Sequence, residues 1–280
     1  MRKLIINADD LGMSHEQNEQ IRQCIELGVI TSSTLMANGP FFNEGVEIAK
    51  HYPQISVGVH LNIIEFAPLT NAEVFQKHGM LDADGNFIEG AAFVVPMDEE
   101  LKQAVFEEWD AQISKVEDAG ITPSHCDSHE HTHAIGSLEE VLCRVLDLHQ
   151  ITRVRRRAIP SIRLMIKSRK QADIVHLDKS KAMTGKKRNV FYRRLHLFVV
   201  KYNSWQWNRR MSKRYTLTDA FYSFRDFYSF RNILHLDGKT SVVELMCHPG
   251  NKPFQKETDN LMNAKSWMSN DFQLINFNQL

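Results

Sequence analysis

The chain has little cysteine. Its four, Cys24, Cys126, Cys143 and Cys247, are widely scattered with no C-x-x-C spacing. That argues against a zinc knuckle or a small disulfide framework and leads us to expect reduced thiols in the cytoplasm. No apolar run approaches the roughly 18 residues that a membrane span needs. Met1-Arg2-Lys3 is followed only by Leu4, Ile5 and Ile6 before Asn7, too short a run for the apolar core of a signal peptide. Neither export nor membrane insertion is expected. Net charge is also lacking, with 34 basic and 34 acidic residues. The balance hides an asymmetry: residues 153–214 hold 20 Lys and Arg against Asp173 and Asp178 alone, leaving 14 basic and 32 acidic residues elsewhere. Such a block suits nucleic acid, an anionic sugar or an acidic partner, and it equally suits a solvated face.

What is present is a globular composition, 42% apolar and 24% charged over 280 residues. That allows a sizeable core, and α/β barrels of about 250 residues form single domains, so one domain suffices. No repeat or low-complexity tract is evident. Lys3 to Ala8 reads as a strand, Ser14-His15-Glu16-Gln17 as a capping box, and Gly28 as a helix stop. Ile30 to Ala37 and Ile55 to Leu61 read as strands around a helix holding Val46 to Ala49. Asp98 opens a long helix with Leu101, Val105, Trp109, Ile113 and Val116 near one stripe, closed by Gly120. Ile121 to Asp127 reads as a strand, Ser137-Leu138-Glu139-Glu140 as the start of a helix reaching about His149, and Arg153 to Ile159 and Ser241 to Cys247 as further strands. Strands alternating with helices imply a parallel, barrel-like α/β fold. Residues 66–96, with the turn Asp82-Ala83-Asp84-Gly85-Asn86, read as a long loop or small hairpin over the barrel mouth.

The chemistry-bearing residues share a position. Asp9 and Asp10 follow the first strand, His60 ends Val57-Gly58-Val59, Asp127 and His129 follow the strand after Pro123, and His248 follows Leu245-Met246-Cys247. In a parallel barrel all strand C-termini open on one face, where active sites are built. These imidazoles and carboxylates form a donor set for Zn, Mn, Fe or Co, and less typically for Mg. If the segment from His125 to His133 stays extended, alternation places His125, Asp127, His129, His131 and His133 on one face. Of the Asp9-Asp10 pair, one carboxylate is free to bind metal and the other to take a proton. Singly, each residue has a plainer reading: a helix cap for the aspartates, a core imidazole for His60, a Pro249-Gly250 turn for His248.

Five ordered segments extend the pattern: Asn7-Ala8-Asp9-Asp10-Leu11-Gly12, Thr31-Ser32-Ser33-Thr34-Leu35-Met36-Ala37-Asn38, Gly58-Val59-His60-Leu61-Asn62, His125-Cys126-Asp127-Ser128-His129, and Glu244-Leu245-Met246-Cys247-His248-Pro249-Gly250. In these the chain resembles the YdjC-like carbohydrate deacetylases, which include chitooligosaccharide deacetylases. The resemblance implies a distorted (β/α) TIM-like barrel over residues 1–280, with a lid-like loop region at 66–96 and a divergent basic insertion at 160–232. It implies removal of N-acetyl groups from amino sugars with a divalent cation, usually magnesium. It also implies metal ligands His60, His129 and Asp10, a base at Asp9, a general acid at His248, and a homodimer. Two positions depart from the family pattern: Glu130 stands where another His commonly follows Asp-Ser-His, and Leu11 replaces a frequent Phe. The expected partner is an acetylated amino sugar or oligosaccharide, phosphorylated or neutral, with no membrane and no nucleic acid. The alternatives are a metal-dependent hydrolase of another amide or ester, and, outside enzymes, a nucleic-acid-binding protein using the basic segment.

Overall fold

The computed structural model describes residues 1–159, 190–230, 236, 238–264, 268 and 272–280. The first element, β1 (Arg2–Leu11), is buried from Leu4 onward, as a strand covered on both faces must be. It leads through the Ser14 cap, whose side chain accepts the Gln17 N–H, into α1 (His15–Glu26). Then follow β2 (Ser32–Leu35), α2 (Phe42–His51), β3 (Ser56–Leu61), α3 (Glu73–Lys77) and α4 (Glu99–Asp118), the last capped by Asp98 as its sequence predicts. Beyond these lie β4 (Cys126–Ser128), α5 (Glu139–Leu148), α6 (Val190–Met211), β5 (Ala220–Ser223), α7 (Phe224–Phe230), β6 (Val242–Cys247), α8 (Gln255–Met262) and β7 (Phe272–Leu274).

Among the described residues, seven strands pair parallel in one sheet of order β4-β3-β2-β1-β6-β5, with β7 also on β1. The sheet curls into a half-barrel, consistent with a distorted barrel. Isolated bridges carry the pairing beyond β4, from Cys126 to Val154 and from Arg153 to Thr216, a few residues before β5 begins at the sheet's other end.

The inner face of this curl is polar. Alternation along the strands turns Asn7 and Asp9, Ser32 and Thr34, and Ser56, Gly58 and His60 inward, where Asn7 bonds Thr34 and Ser56 bonds Ser32. Ile5 instead meets Ile275 and Phe277, and Phe277 lies stacked on His125 at 3.6 Å between ring centroids. Gly58 is where it is because a Cβ there would sit 2.5 Å from the His125 carbonyl oxygen. The outward residues join the main core with Ile21, Val46, Trp109 and Leu142.

Several expected elements are shorter than their sequences suggest. The 121–127 strand contracts to Cys126–Ser128, because Pro123 has no N–H to give a ladder. Of residues 153–159, only Arg153 and Val154 bridge. Ser137 makes no cap; residues 136–138 form a 3-10 turn ahead of α5. Within 66–96, Leu81 and Phe87 form an antiparallel bridge around the predicted turn, where Asp82 accepts the N–H groups of Asp84 and Asn86. Of the basic segment, residues 160–189 lie outside the described residues, and β5, also within 160–232, pairs with β6 as part of the sheet. Among the described residues no helix is long and apolar enough to cross a membrane.

Candidate metal centre and active site

The two aspartates diverge because β1 is irregular where they sit. Ala8 pairs with Ser33 and Leu11 with Leu35, so β1 carries one residue more than β2 across this interval. Such a bulge re-aims side chains. Asp10 adopts φ 68°, a left-handed conformation that Asp tolerates better than most residues. Asp9 consequently points into the polar interior, and Asp10 toward the histidines.

Asp10 Oδ1 lies 3.3 Å from His60 Nε2 and 3.0 Å from His129 Nδ1, while its Oδ2 accepts from Gln17 Nε2 at 3.3 Å. His60 stands opposite Asp127 in the β3–β4 register, and its Nδ1 is 2.7 Å from Asp127 Oδ1. An ionised carboxylate only accepts, so Nδ1 carries the proton and Nε2 faces Asp10, the orientation that outer carboxylates impose on metal-binding histidines. His129 Nε2 meets Glu65 Oε2 at 2.9 Å. Burial opposes charge on both rings, but Asp127 and Asp10 more than reverse it for His60, raised to about 9, and Asp10 and Glu65 for His129, raised to about 10. Burial likewise opposes charge on Asp10, yet the two imidazoles hold its carboxyl well below the usual range.

Ligand atoms of Asp10, His60 and His129 all fall within 4.8 Å of one another. Asp10 Oδ1 and His60 Nε2 are buried and have no hydrogen-bond partner among the described residues. Buried polar atoms left this way call for a ligand, and two imidazoles with a carboxylate fit a divalent cation. A second grouping, Asp9, His60 and Asp127, has comparable spacing, but a guanidinium already occupies its carboxylates.

That guanidinium is Arg155, fully buried. It donates to Asp9 Oδ2 and Oδ1 at 2.6 and 2.7 Å, lies 2.6 Å from Asp127 Oδ2, and donates from Nε to Glu244 Oε1 at 2.6 Å. Burial would raise the pKa of Asp9, but Arg155 holds it far below the ordinary carboxylate range. Glu244 differs: burial outweighs Arg155 and pushes it up to about 7. As pH rises from about 4.5 to about 7, the unfolded chain releases this proton before the folded one does, so the group makes folding about 3 kcal/mol less favourable across that window. Glu244→Gln, whose amide oxygen still accepts from Arg155, is expected to gain stability on the parent between pH 5 and pH 8. Urea melts giving the same difference at both pH values would refute it.

His248 follows β6, whose Cys247 pairs with Ala8. Its backbone N–H donates to Glu257 Oε1 at 2.7 Å, its Nδ1 lies 3.5 Å from the same oxygen, and its ring stacks on Phe254. Burial disfavours its charge, but Glu257, Asp10 and Asp9 outweigh this and raise its pKa.

The extended row of histidines does not form. After His129 the chain turns through His129–Ala134, with Glu130 at φ 46° and His131 at φ 61°, and Ser128 Oγ accepts the His133 N–H at 2.8 Å to close the turn. His129 alone of the row reaches Asp10. His125 lies against Phe277, His131 meets Phe221 edge-on, and His133 meets Trp207. Of the five non-glycine residues with positive φ among the described residues, Asp10, Glu130 and His131 belong to this region, and strain of this kind gathers at functional sites. Arg155, Glu65 and Glu257 escape the sequence reading. Glu244 carries a signal that it does not use, a lone carboxylate amid Val242, Val243, Leu245 and Met246.

The chain is similar to several known proteins. The chain is 34% identical over 150 residues to a carbohydrate deacetylase of Halalkalibacterium halodurans, covering 53% of this chain and 62% of that protein. It is 38% identical over 128 residues to carbohydrate deacetylase 2 of Listeria innocua, covering 45% and 49%. These matches thus span about half to three-fifths of the relatives' lengths. A solved structure described as that of a cellobiose-phosphate cleavage protein from Enterococcus faecalis superposes with TM-score 0.69 at 21% identity, covering 99% of this chain and 98% of that one, a likeness of fold. Finally, a family model described as YdjC-like protein matches residues 3–276, and the chain belongs to that family.

Proposed function

We propose that this protein is a metal-dependent carbohydrate deacetylase that hydrolyses the N-acetyl group of an amino sugar or chitooligosaccharide and releases acetate. The observation that carries this reading is the convergence of Asp10, His60 and His129 within 4.8 Å of one another, with Asp9 next to Asp10 in the chain. A divalent cation held by those three supplies a polarised acetyl carbonyl and a water of lowered pKa. The donor set suits Zn, Mn or Co better than Mg, although magnesium is the family expectation.

The chain's own residues do the rest. Arg155 grips both oxygens of Asp9, keeping it ionised and fixed in direction so that it can take the proton of the attacking water. This grip lowers its basicity, so Asp9 is matched to a water that is already acidified. His248 keeps Nδ1 toward Glu257, which leaves Nε2 to give a proton to the departing sugar nitrogen. Its raised pKa favours the protonated ring that this role requires.

The test is acetate release from N-acetylated sugars, neutral and phosphorylated, with metal content measured on the same sample. Asp9→Asn should retain metal while losing about 10²–10⁴-fold in kcat, the usual range for removing a general base. Undiminished turnover by Asp9→Asn would end this scheme. Release of acid from simple esters or other amides, with none from sugars, would favour a related hydrolase.

A further inference from the structure

A helix lying on a globular domain ordinarily has one apolar face, and α6 has two. Its inner face is anchored: Trp207 and Met211 are buried, and Trp207 meets His133 edge-on. Asn208 brackets Arg157, accepting its N–H at 2.9 Å and donating to its carbonyl at 3.0 Å. The outer face carries Phe198, Val199, Tyr202 and Trp205, exposed by 66%, 46%, 50% and 46%. Steps of four, three and four residues align Phe198, Tyr202, Trp205 and Arg209 along one side. An exposed patch of this kind marks an interaction surface.

Charge indicates what meets it. Residues 190–214 contain seven Lys and Arg and no Asp or Glu. Arg210 and Arg214 are paired with Glu139 and Asp147, whereas Lys201 and Arg209 have no ion-pair partner among the described residues. We infer that the outer face of α6 docks this protein on an anionic lipid bilayer, its aromatic rings entering the boundary between headgroups and acyl chains and its cations meeting lipid phosphates. A helix lying in the interface need not cross it.

Single-stranded nucleic acid uses the same residue types but needs open ring faces. Here the Arg209 guanidinium covers Trp205 at 5.5 Å, and the Tyr202 and Trp205 centroids are 6.2 Å apart. A base held between two rings needs about 7 Å, two contact distances of about 3.5 Å. Insertion into lipid needs neither face.

The test is co-sedimentation of the full chain with phosphatidylcholine vesicles and with vesicles of phosphatidylcholine and phosphatidylglycerol. The parent should bind the mixed vesicles about tenfold more than the neutral ones, with the excess lost in high salt. The triple variant Phe198→Ser, Tyr202→Ser, Trp205→Ser and the double variant Lys201→Glu, Arg209→Glu should each lose about tenfold of this binding. Their thermal midpoints should match the parent's, since all five side chains are exposed. Equal recovery on both vesicle types, no recovery on either, or unimpaired variants would overturn the inference. So would capture of a single-stranded DNA oligonucleotide with the same dependence on the three aromatics.

Discussion

On the proposed reading, His60→Ala is expected to lose bound metal and deacetylation together, with turnover falling by about 10³-fold or more, since a divalent ion held there would supply both the acidified water and the carbonyl polarisation. The fold should survive. The Asp127 carboxylate left behind keeps Arg155 at 2.6 Å and the Thr34 hydroxyl at 3.2 Å, so no buried charge is stranded. Asp127→Asn provides the graded comparison: it leaves all three ligands but puts a neutral amide in place of the carboxylate that orients His60 and also meets Arg155 and Thr34, which should weaken metal affinity by about 10–100-fold. Metal must also displace protons from His60 and His129, raised to about 9 and about 10 without it, so apparent affinity should fall as pH falls. Titration of metal into the parent and both variants, with acetate release on the same samples, checks the series. A metal-free His60→Ala protein with parental turnover would remove the ion from the reaction.

What was legible in the sequence, and what was not, divides along local and non-local lines. Asp9, Asp10, His60, His129 and His248 each sit just at or beyond an apolar run, and parallel strands gather such positions at one end whatever the order of the connections. Local pattern therefore suffices to nominate them. It does not reveal their neighbours. Arg155 lies in Arg153-Val154-Arg155-Arg156-Arg157, which reads as the start of a strand within a basic block that suits a solvated face as well as an anionic partner, and neither reading puts its guanidinium in the interior. Only the backbone bonds that exchange Cys126 with Arg153 and Arg155 place one member inside the sheet. The His125–His133 row failed for a related reason: alternation holds only while the chain stays extended, and Ser128 closes a turn after three strand residues. The same charge block thus mixes unlike roles, with Arg155 in the interior, Arg210 and Arg214 in surface pairs, and Lys201 and Arg209 on the outer side of α6.

Arg155→Met should be the most destabilising single change near the site. The side chain is fully buried and is the cation shared by Asp9, Asp127 and Glu244. Removing one partner of a buried ion pair costs about 3–5 kcal/mol, and here three carboxylates lose the same partner, which places the loss toward the upper end. For a chain of this size that corresponds to a fall of about 8 °C in Tm. The pH dependence separates lost charge from lost packing. Without the guanidinium the Asp9 and Glu244 carboxyls lose the charge that holds their pKa values down, so the folded state holds protons that the unfolded chain gives up. The deficit against the parent should therefore be smaller at pH 5 than at pH 8. Arg155→Lys restores the charge without the fork that engages Asp9 and Glu244 together, and should recover part of the stability but little turnover, because Asp9 is no longer held in direction. Calorimetry at the two pH values, with acetate release for the Lys variant, decides the matter: a pH-independent deficit would mean that Arg155 acts through packing, and full turnover in Arg155→Lys would mean that Asp9 needs no such grip.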